Sequence, residues 1–226
     1  KNLKDRTDLQ AEIKKLYHLN SKISEEANNL TKALKGDVKK QGNWGELILE
    51  KILEASGLQK DREFKTQVAL TSPDGKKYQP DVVIYLPENK HIVIDSKVSL
   101  IAYDQFINSE SLEMQNSCIK EHLSSLKNHI KQLADKQYYT LNELNSPEYV
   151  LMFVPIEPAL YAALKEDQKL FEKAMEKNVV MVTTSTLLAT LRTINYIWNQ
   201  DNARKNVDEI ARESGALYEK FIGFIE

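Results

Sequence analysis

Apolar positions near the start of the chain recur at alternating steps of four and three: Leu9, Ile13, Leu16, then Ile23, Ala27, Leu30 and Leu34, with Asn20 filling one seam position. That spacing predicts a heptad helix, in which a single polar seam residue fixes register. Its flanks are rich in Lys, Glu and Asn. The helix either packs on its own domain or forms a coiled-coil arm, self-associating or continuing an upstream coil. Gly36 is a plausible stop. The boundary this implies is a helical arm over residues 1–36 and a folded domain over 39–226. A second helix, from Asn43 to Glu54 with Gly57 as its cap, buries Trp44, Ile48, Leu49, Ile52 and Leu53. Glu46, Glu50 and Glu54 lie four apart on it and form one acidic stripe. The stripe is either an ordinary solvated face or one turned toward a cation.

Period-two and fully apolar runs follow. A strand is predicted around Phe64 to Leu70, then a turn at Ser72-Pro73-Asp74-Gly75. Val82-Val83-Ile84-Tyr85-Leu86 and His91-Ile92-Val93-Ile94, separated by Pro87-Glu88-Asn89-Lys90, read as a β-hairpin. If its turn centres between Glu88 and Asn89, paired residue numbers sum to about 177, and Asp81 faces position 95 or 96. Alternation puts Asp95 and Lys97 on one face and Ser96 on the other. A short segment from Ser99 to Asn108 precedes a long amphipathic helix from Leu112 to Tyr138. Tyr149 to Val154 reads as a strand buried on both faces. Beyond it come a helix near Pro158 to Glu176 and a strand over Val179 to Val182. A helix entered through Thr183-Thr184-Ser185 carries Leu187 to Trp198, and a last helix spans Val207 to Phe224. The order helix, three strands, helix, strand predicts an α/β domain with a mixed sheet flanked by helices.

Composition narrows the function classes. With 226 residues, 42% apolar and 28% charged, the chain can bury a real core. A formal net charge of −2 gives no bulk attraction to nucleic acid, so binding of DNA would need a local patch or bound cations. The single cysteine, Cys118, excludes an internal disulfide framework and a cysteine-based zinc site, and fits a reducing compartment. No apolar run approaches the roughly 18 residues of a membrane span. The first residue is Lys1, which suggests a piece of a longer chain.

The candidate chemistry gathers at the open end of the hairpin. Asp81 and Asp95 are hard-oxygen ligands suited to Mg2+, with Mn2+ as a substitute, and the backbone carbonyl of Ser96 adds a third. Lys97 would reach the attacking water and a phosphate. Glu46 is the preferred acid from the preceding helix and Glu50 the second choice. The plainer alternative is a strand-end salt bridge of Lys97 with Asp81 or Asp95, with Pro80 simply starting an edge strand.

This arrangement resembles the PD-(D/E)xK nuclease superfamily, whose restriction-endonuclease-like core has the same α-β-β-β-α-β order. More closely, the chain resembles the RmuC family of bacterial DNA recombination proteins. The matching stretches are Gln41-Gly42-Asn43-Trp44-Gly45-Glu46, Gln79-Pro80-Asp81-Val82-Val83 and Val93-Ile94-Asp95-Ser96-Lys97-Val98. Further matches are Phe153-Val154-Pro155-Ile156-Glu157-Pro158 and Thr186-Leu187-Leu188-Ala189-Thr190-Leu191-Arg192-Thr193. The resemblance implies a magnesium-dependent DNA endonuclease or exonuclease linked to recombination. In it Asp81 and Asp95 are metal ligands, Lys97 is the catalytic lysine and Glu46 the helix acid. It also implies a coiled coil and an N-terminal membrane anchor ahead of the domain. On that basis the protein is expected in the bacterial cytoplasm, tethered at full length, with DNA as its partner. The rival expectation is a DNA-binding scaffold without turnover.

Weaker candidates for DNA contact are Arg192, Gln67, Lys65 and Tyr103. Arg192 lies beside an apolar helix face, where a snorkelling side chain or a pair with Glu157 is the plainer explanation. Gln67 precedes the hairpin and approaches the same site. Tyr103, like other aromatics here, either stacks on a base or packs in the core. His122 and His129, seven apart on one helix, read as flanking a packing seam.

Overall fold

The computed structural model describes residues 38–71, 75–96, 100–141, 144 and 149–225, preceded by Lys14, His18, Ser21, Lys22 and Glu25. Those five are helical and exposed, and none belongs to the heptad seam, which lies outside the described residues. Helix α1 spans Val38–Ser56 and so starts five residues before its predicted first turn. Trp44, Ile48, Leu49, Ile52 and Leu53 form its buried face, as their spacing requires. Gly57 ends it with a φ of +88° that a side chain rarely adopts, and a Cβ there would lie 3.3 Å from Asn195 Nδ2.

The predicted strand from Phe64 to Leu70 is divided. Strand β1 is Phe64–Thr66, and Gln67 then turns the chain with a φ of +53°. Strand β2, Leu70–Thr71, leaves the main sheet and pairs with β3, Lys77–Tyr78, in a small antiparallel ribbon. Strands β4, Val82–Leu86, and β5, Lys90–Asp95, form the expected hairpin around a 3-10 turn at Pro87–Asn89. Val82 pairs with Ile94 and Leu86 with Lys90, so the next opposed positions beyond Val82 and Ile94 are 81 and 95.

The segment after β5 becomes helix α2, Ile101–Asn108, packed on the long helix α3, Leu112–Lys136. Strand β6, Val150–Val154, is buried at every position, as a central parallel strand should be. The helix predicted from Pro158 to Glu176 is two, α4 at Glu157–Glu166 and α5 at Leu170–Met175. Between them Asp167 takes an extended backbone, its carboxylate held by Lys127 at 2.8 Å and Lys173 at 2.9 Å. Strand β7 is Val179–Thr183. The two helices predicted beyond it are one, α6, which runs 42 residues from Thr184 to Ile225.

The five-stranded sheet has the order β1-β4-β5-β6-β7, antiparallel on the β1 side and parallel from β5 to β7. Helices α3, α4 and α6 pack on its parallel half, and α1 packs on α6. Strand β5 is therefore the seam between the two halves. Its C-terminal end is where the predicted site lies.

Candidate active site at the open end of the hairpin

Asp81 stands just before β4, and residues at the ends of β1 and β5 converge on its carboxylate. Oδ2 accepts hydrogen bonds from the Ser96 backbone N–H at 2.7 Å and from the Ser96 hydroxyl at 2.9 Å. Oδ1 accepts one from the Gln67 side-chain amide at 3.2 Å, and the same Nε2 lies 3.3 Å from Glu46 Oε2. The left-handed turn at Gln67 makes this reach possible, because it also sends the Gln67 backbone N–H to the Asp81 carbonyl at 2.9 Å. Glu46, Glu50, Thr66, Gln67 and Asp81 line one cavity of about 240 Å³ between α1 and the β1 side of the sheet. Glu50 is also held by Lys60, whose ammonium lies 2.6 Å from Oε1 and is stabilised in its charged form by that contact.

Asp95 does not line this cavity. It is 2% exposed, and its Oδ2 accepts from Lys136 Nζ at 2.6 Å and from the Tyr138 hydroxyl at 3.3 Å. Its Oδ1 is buried and makes no hydrogen bond among the described residues. Lys136 is the last residue of α3, and Gln137 then adopts a left-handed conformation that brings Tyr138 round to the same oxygen. The Lys136 ammonium lies 5.4 Å from the centre of the Tyr138 ring. Burial, followed by the charge of Asp95, raises the Tyr138 pKa, so the phenol stays protonated and donates. The sequence carries no signal that pairs Lys136 or Tyr138 with Asp95; Tyr138 reads there only as one of several aromatics that stack on a base or pack in the core. Lys97 lies outside the described residues.

A sequence model of the RmuC family matches residues 1–226. The chain belongs to the RmuC family. It is 47% identical over 223 residues to the DNA recombination protein RmuC homolog of Pseudomonas aeruginosa, covering 99% of this chain and 49% of that protein. It is 45% identical over 223 residues to the homolog of Vibrio cholerae, covering 99% of this chain and 44% of the relative. Identity to the DNA recombination protein RmuC of Escherichia coli K12 is 42% over 226 residues, all of this chain and 48% of that one. The chain thus spans about half the length of the curated relatives it matches. Among the described residues no helix is long and apolar enough to cross a membrane.

The RmuC stretches quoted above meet in space: the first supplies Glu46, the second Asp81, and the third Asp95 and Ser96. They do not form a closed cage, because no three His, Cys, Asp or Glu side chains converge on one point among the described residues. The acids instead form two adjoining sets. In one, an amide N–H2 lies between the carboxylates of Glu46 and Asp81; in the other, an ammonium lies against Asp95. The donor set is all hard oxygen, and the Asp95 Oδ1 is an orphaned buried acceptor, so the donor types are those a magnesium-type ion takes. The Ser96 carbonyl is close to α1, since a Cβ on Gly45 would sit 3.5 Å from it.

The weaker candidates scatter. Gln67 joins the site, as described. Lys65 projects from β1 with its ammonium 5.7 Å from the Tyr85 ring centre. Arg192 is half-buried on α6. Glu157, offered as its partner, accepts the Ser185 backbone N–H at 2.9 Å at the start of α6. Burial would raise the Glu157 pKa, but the bonds from Ser185 and Thr183 outweigh it and leave it below the usual value. Tyr103 is buried, its ring centre 5.5 Å from that of His122 and 6.2 Å from that of Phe106, which is the core-packing alternative of its two readings.

Proposed function

We propose that this chain carries the catalytic part of a metal-dependent nuclease that hydrolyses DNA phosphodiester bonds during recombination. The relatives' name, DNA recombination protein, supports the setting. The observation that carries the chemistry is the opposition of positions 81 and 95 at the open end of one hairpin, with Glu46 joined to Asp81 through Gln67. Residues 39–226 would form the nuclease domain and residues 1–36 a coiled-coil arm. Asp81, Asp95 and the Ser96 carbonyl would hold the ion, with Glu46 or Glu50 completing the set from α1. Bound there, Mg2+ would neutralise charge on the scissile phosphate. Ser96 fixes the direction of Asp81, and Lys97, two residues after Asp95, would orient the attacking water.

The test is cleavage of single-stranded, duplex and branched DNA by the purified protein with Mg2+, Mn2+ or Ca2+. Asp81→Asn, Asp95→Asn and Lys97→Ala should each reduce cutting about a hundredfold or more, the scale of losing one group that acts on the transition state. Cutting that survives all three would remove this site from the reaction. A second reading has its own support: both oxygens of Asp81 and one of Asp95 already have protein donors, as a site needing no metal would. On that reading the chain is a DNA-binding scaffold. No cleavage of any substrate, with DNA affinity the same in all three variants, would favour it.

A further inference from the structure

Lys136 carries a charge against Asp95 that the proposed reaction leaves without a task. It is 41 residues from Asp95 in sequence, and α3 ends on it, so the helix delivers its ammonium to the end of β5. The contact is one-sided: Lys136 and Tyr138 both take Oδ2, and the buried Oδ1 is left without a hydrogen bond among the described residues. A structural ion pair at a buried carboxylate ordinarily has both oxygens satisfied, because an unpaired buried acceptor is costly. Here one oxygen of the side chain is fixed, and the other is buried with no hydrogen bond among the described residues. Lys136 itself keeps 29% of its side chain exposed, whereas the Asp95 side chain keeps 3%.

We infer that Lys136 is the resident counter-cation of this acidic site: it neutralises Asp95 in the metal-free protein, while Tyr138 fixes the carboxylate so that Oδ1 faces an incoming divalent cation. The inference rests on the metal-binding reading of the site proposed above. It makes Lys136 a positioning residue that competes with the metal. The ammonium and a dication drawn to the same carboxylate repel, so entry of the ion loosens the Lys136 contact. In this respect the site has a built-in brake on metal loading.

Two measurements on the full chain test it. In EDTA, Lys136→Met should lower the melting temperature, Lys136→Arg should largely retain it, and adding Asp95→Asn to Lys136→Met should restore most of the loss. Losses that simply add would mean that Lys136 does not act through Asp95. In a calorimetric titration with Mn2+, Lys136→Met should bind roughly tenfold more tightly than wild type, the scale of removing one nearby like charge. The gain should vanish when Asp95→Asn is also present. Binding to wild type that Lys136→Met leaves unchanged or weakens, with the variant folded, overturns this assignment alone. Binding of Mn2+ to none of the proteins overturns the metal reading of the site and this inference with it.

Discussion

Gly45 shows how one missing side chain shapes the site. Helix α1 passes the end of β5 there, and an added methyl would meet the Ser96 carbonyl at 3.5 Å and its hydroxyl at 3.9 Å, both ordinary contact distances. Gly45→Ala should therefore fold, and it gains up to about 1 kcal/mol of helix propensity. The same methyl would cover the carbonyl proposed as a ligand. The expected result is a melting temperature raised by about 2–4 °C together with weaker Mn2+ binding. Unchanged binding would take the Ser96 carbonyl out of the ligand set. His122 gives a second residue-scale prediction, about stability. It is fully buried, its Nε2–H donates to the Ala159 carbonyl at 3.0 Å, and burial holds its pKa below the ordinary 6.5. Below pH 6.5 the unfolded chain takes up a proton that the native imidazole refuses, so stability present above that pH is lost as the pH falls. His122→Gln keeps an N–H donor but does not titrate. Its melting temperature should depend less steeply on pH between about 7 and 5, and a profile parallel to wild type would count against this role.

At the scale of elements, the hairpin was legible because its two β-branched runs and Pro-containing turn leave one pairing, and the observed register lies within one residue of that expected. Boundaries were less so. The strand after Phe64 breaks at Gln67 because the chain there turns to the Asp81 carbonyl, a partner 14 residues away with no local signal. Helix α6 was read as two because apolar spacing fails between Trp198 and Val207. What stops there is burial: past Ile194 no described residue of α6 is buried, yet no Gly or Pro interrupts it before Gly215. An exposed helix with an i,i+4 pair such as Asp201–Lys205, at 2.7 Å, continues without a core beneath it. Ala203→Pro tests this. It should remove far-UV helix signal for the segment beyond residue 203 while the core melts cooperatively near the wild-type temperature. A collapse of the whole fold would show that the distal half supports the core.

Over the whole molecule, the acids of the site were readable in the sequence together with their place at the open end of the hairpin, and the cation and phenol that meet Asp95 were not. Asp81 and Asp95 are close in sequence through the hairpin, whereas Lys136 and Tyr138 reach Asp95 across more than 40 positions, a distance only the tertiary fold spans. The same long-range assembly ties the hairpin to the rest of the chain at its other end. Trp198 donates its indole N–H to the Tyr85 carbonyl at 2.9 Å, beside the turn at Pro87–Asn89. Strand β4 is thus pinned by α6 at one end and carries Asp81 four residues away at the other. Beyond that pin α6 continues for 27 residues (198 to 225), about 40 Å of helix. That one indole bond is where the long, largely exposed helix takes hold of the strand that aims the carboxylate.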